Sequence, residues 1–179
     1  MLDLPDDVLR VILGMCPTSR TVVSVGCTCR RMRDLVEDMD TLPPMTLTCV
    51  QDKSAHAWAR SPHIARKFHT LTARRCVFST APWVSKFSAL TTLVMTFCRV
   101  GVEVLGKLPP SLVHLNIHTL VPRHGYESGR ASFQRLTRLR SLVMTFDPAR
   151  WNVAFVAKLP RGLRECRLRG AKAMVVESL

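Results

Sequence analysis

Apolar positions along the chain follow one rhythm over roughly the first forty residues and a different one after that. Over residues 3–38 they recur at helical spacing, with Leu4, Val8, Leu9, Val11, Ile12 and Met15 on one broad apolar face. Pro5 stands where a missing backbone N–H costs nothing, and Asp3 can cap the helix before it. Cys16-Pro17-Thr18-Ser19 then breaks this helix and offers Thr18 or Ser19 as the next cap. The pattern predicts a short second helix over 21–27, β-branched enough to need tertiary support. It predicts a third over about 28–38, with Cys29, Met32, Leu35 and Val36 on one face and Arg30, Arg31 and Arg33 outward.

From residue 42 onward the rhythm becomes apolar-x-x-apolar-x-apolar. It starts at Leu42 (Met45, Leu47), Phe68 (Leu71, Ala73) and Leu90 (Leu93, Met95). It returns at Leu112 (Leu115, Ile117), Leu139 (Leu142, Met144) and Leu163 (Cys166, Leu168). The intervals are 26, 22, 22, 27 and 24 residues, a period that means a stacked repeat. Duplication of a two-repeat block is also visible. Leu93-Val94-Met95-Thr96-Phe97 recurs verbatim at 142–146, and Lys107-Leu108-Pro109 recurs as Lys158-Leu159-Pro160. Each repeat predicts a short strand, with Leu93 and Met95 inward and Thr92, Val94 and Thr96 outward in the third. Between strands, 52–60 and 148–159 read as helices, 102–107 as a shorter one, and the glycine-broken stretch 122–130 as a loop. Residues 171–179 leave room for only a brief strand or helix to cap the stack.

Two family resemblances attach to these segments. The string Leu4-Pro5-Asp6-Asp7-Val8-Leu9, then Ile12-Leu13, Val22-Val23 and Thr28-Cys29-Arg30-Arg31-Met32-Arg33-Asp34-Leu35 resembles the F-box. That family typically shows Leu-Pro-x-Glu early and Val-Cys-(Lys/Arg)-x-Trp late. Here Asp7 stands for Glu, Thr28 for Val and Met32 for Trp. The repeats resemble leucine-rich repeats, which commonly carry Asn or Cys eight residues after the first apolar position. Cys76 and Cys98 fall there, whereas Val50, Leu120, Asp147 and Ala171 do not match.

The resemblance implies an α/β architecture. A three-helix F-box over 1–41 would precede a solenoid of about six irregular leucine-rich repeats over 42–179, with a parallel sheet on its concave face. It also implies that Leu4, Pro5, Val8, Leu9, Ile12, Val22, Cys29 and Met32 pack against a Skp-family adaptor within a cullin complex. The physics agrees, because about forty residues cannot bury so much apolar surface alone. The outward strand residues would be the partner-binding surface, chiefly Thr72, Arg74, Thr96, His114, Asn116, His118, Thr145, Arg167 and Arg169.

Charge sharpens this division. Residues 1–52 carry five Arg and eight Asp or Glu, a net −3, while residues 53–179 carry 21 basic and five acidic residues, a net +16. Opposite charge on the two parts suggests different partners. For the basic part an acidic or phosphorylated protein ranks first, a compositional origin second (20 Arg against 6 Lys) and nucleic acid third. With 6% aromatic residues the chain offers little for stacking single strands.

Enzyme chemistry finds no constellation here. Two histidines, His114 and His118, do not make a zinc site, Cys27-x-Cys29 lacks a second pair, and the eight glycines are dispersed. We therefore expect no catalytic residue, no metal and no cofactor. Seven cysteines, unpaired in spacing, read as reduced and mostly buried thiols. No apolar run approaches the roughly 18 residues of a membrane span, and the acidic start is unlike a presequence. The expected location is cytoplasmic or nuclear. The expected role is substrate recognition in a Skp-cullin-F-box ubiquitin ligase. The alternative is a structural, non-enzymatic component of a larger assembly that contacts nucleic acid through its basic part.

Overall fold

The computed structural model describes residues 4–16, 21–22, 26, 28–40, 42–48, 62–78, 83–100, 102–120, 133–146, 159–170 and 174–175. The chain begins with α1 (Asp6–Met15) and α2 (Arg30–Asp38). Between them Thr21, Val22 and Gly26 are helical, and the rest of the expected second helix lies outside the described residues. Pro5, with φ −56° and ψ 150°, is itself the residue in front of α1, so the helix starts later than a cap at Asp3 predicts. Asp3 lies outside the described residues. Asp6 and Asp7 occupy the first turn instead, where negative charge complements the helix dipole. The helix ends at Cys16, whose extended backbone (φ −64°, ψ 128°) is what a following proline favours.

Ion pairs and packing hold α1 and α2 together. Arg31 reaches Asp6 through Nη2 at 2.6 Å, and Arg10 reaches Asp38 at 3.0 Å. Both pairs are exposed, so each contributes little by itself. The larger contribution comes from Leu13, Val22, Leu35 and Val36, all buried. At Gly26 a Cβ would meet Val36 Cγ2 at 3.3 Å, a close approach that a small residue permits.

The rest is a solenoid-like stack. Strands β1 (Met45–Thr48), β2 (Thr70–Arg74), β4 (Thr92–Thr96), β6 (His114–Leu120), β7 (Ser141–Phe146) and β8 (Glu165–Gly170) form one parallel sheet in that order. A further strand, β9 (Met174–Val175), pairs antiparallel with β8. Each strand carries its repeat in register: Met45 opposes Leu71, Leu71 opposes Leu93, then Leu115, Leu142 and Cys166. All six are buried, as are Leu47, Ala73, Met95, Ile117, Met144 and Leu168 two residues on. Period-two alternation thus puts one face of every strand into a common core.

The backbone repeats as faithfully as the side chains. The carbonyls of His69, Thr91, Val113 and Arg140 each accept two consecutive N–H groups from the next repeat, at 2.8–3.1 Å. These carbonyls sit one residue after the first apolar position of each repeat, where the connecting segment turns into its strand. The register shifts once, between Ile117 and Leu120, in the longest repeat.

Three elements depart from the sequence expectation. A second, two-stranded parallel sheet pairs β3 (Val77–Phe78) with β5 (Arg99–Val100). A single helical turn, α3 (Pro62–Ala65), and a 3-10 turn (Val84–Lys86) lie where no helix was predicted. The fourth helix, α4 (Val102–Gly106), falls on the predicted 102–107. The predicted helices at 52–60 and 148–159 and the loop at 122–130 lie outside the described residues. Trp83 packs on Phe78 and Phe87 at ring-centroid distances of 5.0 and 5.9 Å, and Phe87 on Phe68 at 5.8 Å. Of these aromatics Phe68 belongs to the repeat pattern, whereas Phe78, Trp83 and Phe87 lie in connecting segments where the sequence offers no periodicity to read.

Among the described residues, Leu42 and Lys67 join the helical part to the sheet. Leu42 bridges Phe68, its N–H donates to the Lys67 carbonyl at 3.0 Å, and Lys67 Nζ donates to the Glu37 carbonyl at the end of α2. A cation there satisfies a carbonyl that the helix leaves unpaired. Lys67→Met keeps the stem and removes the donor. It is expected to lower stability by about 1 kcal/mol, read as an earlier urea midpoint. An unchanged midpoint would show that the junction rests on Leu42 and Phe68 alone.

Candidate functional site

Two surfaces carry the chemistry that the sequence singles out. The first is on α1, whose apolar residues divide between two sides. Leu13 is fully buried and Leu9 is half-buried against the core, while Val8, Val11, Ile12 and Met15 remain 42%, 62%, 47% and 78% exposed. Their spacing of i, i+3, i+4 and i+7 makes one continuous stripe along the helix. The broad apolar face is therefore two faces, one spent on the protein's own core and one left to solvent.

The residues expected to meet the adaptor distribute unevenly over this arrangement. Pro5, Val8 and Ile12 are exposed, Leu4 is half-buried, and the Leu4 carbonyl accepts from Arg31 Nη2 at 2.5 Å. Met32 is half-buried against the core, as Leu9 is. Cys29 is exposed and stands in front of α2 as its N-cap residue. Val22 is completely buried and reaches no outside partner in this conformation. Val11 and Met15 complete the exposed stripe, and their spacing from Val8 is the sequence signal that would have included them.

The second surface is the outer face of the parallel sheet. Register aligns its side chains into rows. Thr46, Thr72, Val94, Asn116, Val143 and Arg167 form the middle row. Thr70, Thr92, His114, Ser141 and Glu165 form the row on one side of it. On the other side Thr48, Arg74, Thr96 and His118 continue the pairing, and Thr145 pairs Arg169. The structure thus brings the sequence-predicted face together on one side of the sheet. Within it Glu165 takes up part of the arginine end, bonding Arg167 Nε at 2.9 Å and Ser141 Oγ at 2.8 Å. Arg74 and Arg169 form no ion pair among the described residues. Asn116 Oδ1, in the middle row, is buried without a hydrogen-bond partner.

One edge of this face went unread in the sequence. Just past β2 and β4 the backbone turns left-handed at Arg75 (φ 53°) and Phe97 (φ 55°). Phe97 is left exposed, and neither residue follows from strand alternation, which ends at Arg74 and Thr96. The next residues, Cys76 and Cys98, turn inward. Cys98 Sγ lies 3.4 Å from the Ala73 carbonyl, and Cys76 Sγ lies 3.5 Å from that of Leu47, each on the preceding strand. The two thiols thus sit in equivalent places in consecutive repeats, each against a carbonyl of the strand before. A hydrogen bond with the Cys76 side chain and burial both push the Cys98 thiol well above its ordinary pKa, and burial raises Cys166.

Among the described residues no group of three or more His, Cys, Asp and Glu is placed to hold a metal ion. No described helix is long and apolar enough to cross a membrane.

Comparison with known families places an F-box domain at residues 1–43. The match takes in α1, α2 and the segment between them, and stops just before β1. Comparison with curated proteins and with solved structures finds no match.

The thiols supply a direct check on the site's surroundings. Brief alkylation by iodoacetamide near pH 8 should label exposed Cys29 and spare Cys98 and Cys166, because a raised pKa leaves little thiolate. Above the ordinary thiol pKa of about 8.5 the unfolded chain releases protons that the folded one retains, so stability should fall as pH rises. Rapid labelling of Cys98 in the folded protein, read by peptide mass spectrometry, would contradict its place in the turn.

Proposed function

We propose that this protein is the substrate-recognition subunit of a Skp-cullin-F-box ubiquitin ligase. In this reading α1 docks on a Skp-family adaptor, and the outer sheet face binds the protein to be modified. The observation that carries it is the exposed stripe of Val8, Val11, Ile12 and Met15 inside the segment that matches the F-box domain. An F-box domain docks on such an adaptor, and a helix face left apolar toward water is the physical form that docking takes. Each of these side chains contributes roughly 1–2 kcal/mol when a partner covers it.

The division of charge supports separate surfaces for the two partners. The helical part is acidic overall, and the sheet part carries the excess of arginine. Transfer of ubiquitin belongs to other subunits of such ligases, so the chain itself works without an active site. An acidic or phosphorylated protein is the cargo that a +16 segment fits best.

The same excess of charge favours one other reading, a structural subunit that holds nucleic acid or protein inside a larger assembly. Recovery in stoichiometric amounts with a large complex and without a cullin would favour it.

Adaptor docking is testable residue by residue. Val8→Glu with Ile12→Arg alters two exposed positions, so the urea midpoint should barely move. Loss of two apolar contacts and burial of two charges should weaken adaptor binding by more than about 100-fold. Val22→Ala should do the reverse, costing about 1–3 kcal/mol of stability and leaving the affinity of the folded protein unchanged. Full adaptor binding by the double variant, measured by titration calorimetry, would remove α1 from the docking surface.

A further inference from the structure

The end of the sheet at β2 and β4 places one exposed aromatic residue, Phe97, on the same edge as several exposed arginines. Cα partners place Arg74 beside Thr96 and Thr96 beside His118. One residue further along, the Arg75 N–H donates to the Thr96 carbonyl at 2.9 Å and the Phe97 N–H to the His118 carbonyl at 3.0 Å. The two left-handed residues are therefore neighbours across consecutive repeats, with Arg74 and His118 on the adjoining row.

The fold explains the backbone there but not the side chain. The chain must turn so that Cys76 and Cys98 point inward and β3 can pair with β5, and both repeats meet this with the same φ. Glycine or asparagine adopts that conformation most readily, and a bulky aromatic is rare in it. In one repeat the position is filled by arginine. In the next it is filled by phenylalanine, whose ring gains nothing from the core and stays 61% exposed. Neither stability nor solubility accounts for a phenylalanine here.

The electrostatics indicate what would cover it. Arg74, Arg75, Arg99 and His118 are all exposed, and none forms an ion pair among the described residues. The nearest carboxylate described on this face, Glu165, lies three strands away and is occupied by Arg167. An exposed aromatic residue with arginines at the adjoining backbone positions has the composition of a protein-binding hot spot, with carboxylates as the complementary charge. A single-strand binder would instead present successive stacking rings. The three outward rows of the strands hold threonine, valine, histidine, asparagine, serine, arginine and glutamate, and no row carries a ladder of aromatic rings.

We propose that Phe97, with Arg74, Arg75 and His118 around it, anchors a docking site for an acidic segment of a partner protein that carries a bulky apolar side chain. The proposal rests on the reading of the sheet as the cargo-binding part and specifies the chemistry of that cargo. The apolar side chain covers the Phe97 ring, and the flanking Asp or Glu residues take the guanidinium groups.

The test is selection of a phage-displayed random peptide library on the full chain. The expected result is enrichment of peptides with Asp or Glu flanking Leu, Ile, Met or an aromatic residue. Phe97→Asn, which suits the left-handed backbone, should weaken binding of an enriched peptide more than tenfold at an unchanged urea midpoint. Arg74→Glu with Arg75→Glu should abolish the acidic preference. Absence of acidic enrichment would overturn the proposal, as would equal binding by Phe97→Asn. So would a labelled single-stranded oligonucleotide that binds the chain and is lost in Phe97→Asn, since that assigns the ring to a base. Adaptor binding measured on the same variants should stay at the native level, which separates failure of this site from failure of the α1 docking surface.

Discussion

Burial of one side of the parallel sheet is the constraint from which the rest of the molecule follows. Strands of a parallel sheet pair only through crossovers, and the crossovers must lie on the side where apolar side chains need cover. Met45, Leu71, Leu93, Leu115, Leu142 and Cys166 form one buried row across six repeats, and the row two residues on is buried as well. A strand slipped by one residue would turn both rows to water, so the hydrophobic alternation fixes register throughout. Fixed register then dictates the outer rows, the turn at Cys76 and Cys98, and the meeting of Arg74, Thr96 and His118 at one edge. The proposed binding surface is a consequence of the core.

The helical segment obeys a different constraint. It is too short to enclose a core, so α1 is apolar on two sides. Leu13 and Leu9 turn toward the protein interior with Leu35 and Val36, and the opposite stripe stays exposed among the described residues. The Arg31–Asp6 and Arg10–Asp38 pairs set α1 against α2, and Lys67 ties the end of α2 to the first repeats. The stripe is thus presented on a supported helix, a geometry suited to docking a partner without rearranging the sheet.

Much of this architecture was legible in the sequence because it rests on period. The six strand phases follow from apolar-x-x-apolar-x-apolar alone, and the two cysteine turns follow from a fixed offset. What escaped was set by features that carry no period. Pro5 fits either side of a helix start, so its place before α1 needed the backbone. The β3–β5 pair is only two residues long on each side, below what alternation can register. Val22 and Val8 are both apolar residues of helical segments, and only packing decides that one is core and the other surface. Phe97 looks like another apolar strand residue until the left-handed turn places it outside.

Adaptor docking through α1 is the claim on which the functional account depends, and amide hydrogen exchange tests it most directly. Exchange should be followed on the full chain alone and in complex with a purified Skp-family adaptor. The account predicts added protection over 6–15, with exchange over the strands of the parallel sheet unchanged. Protection confined to the strands, with α1 exchanging as in the free protein, would contradict it.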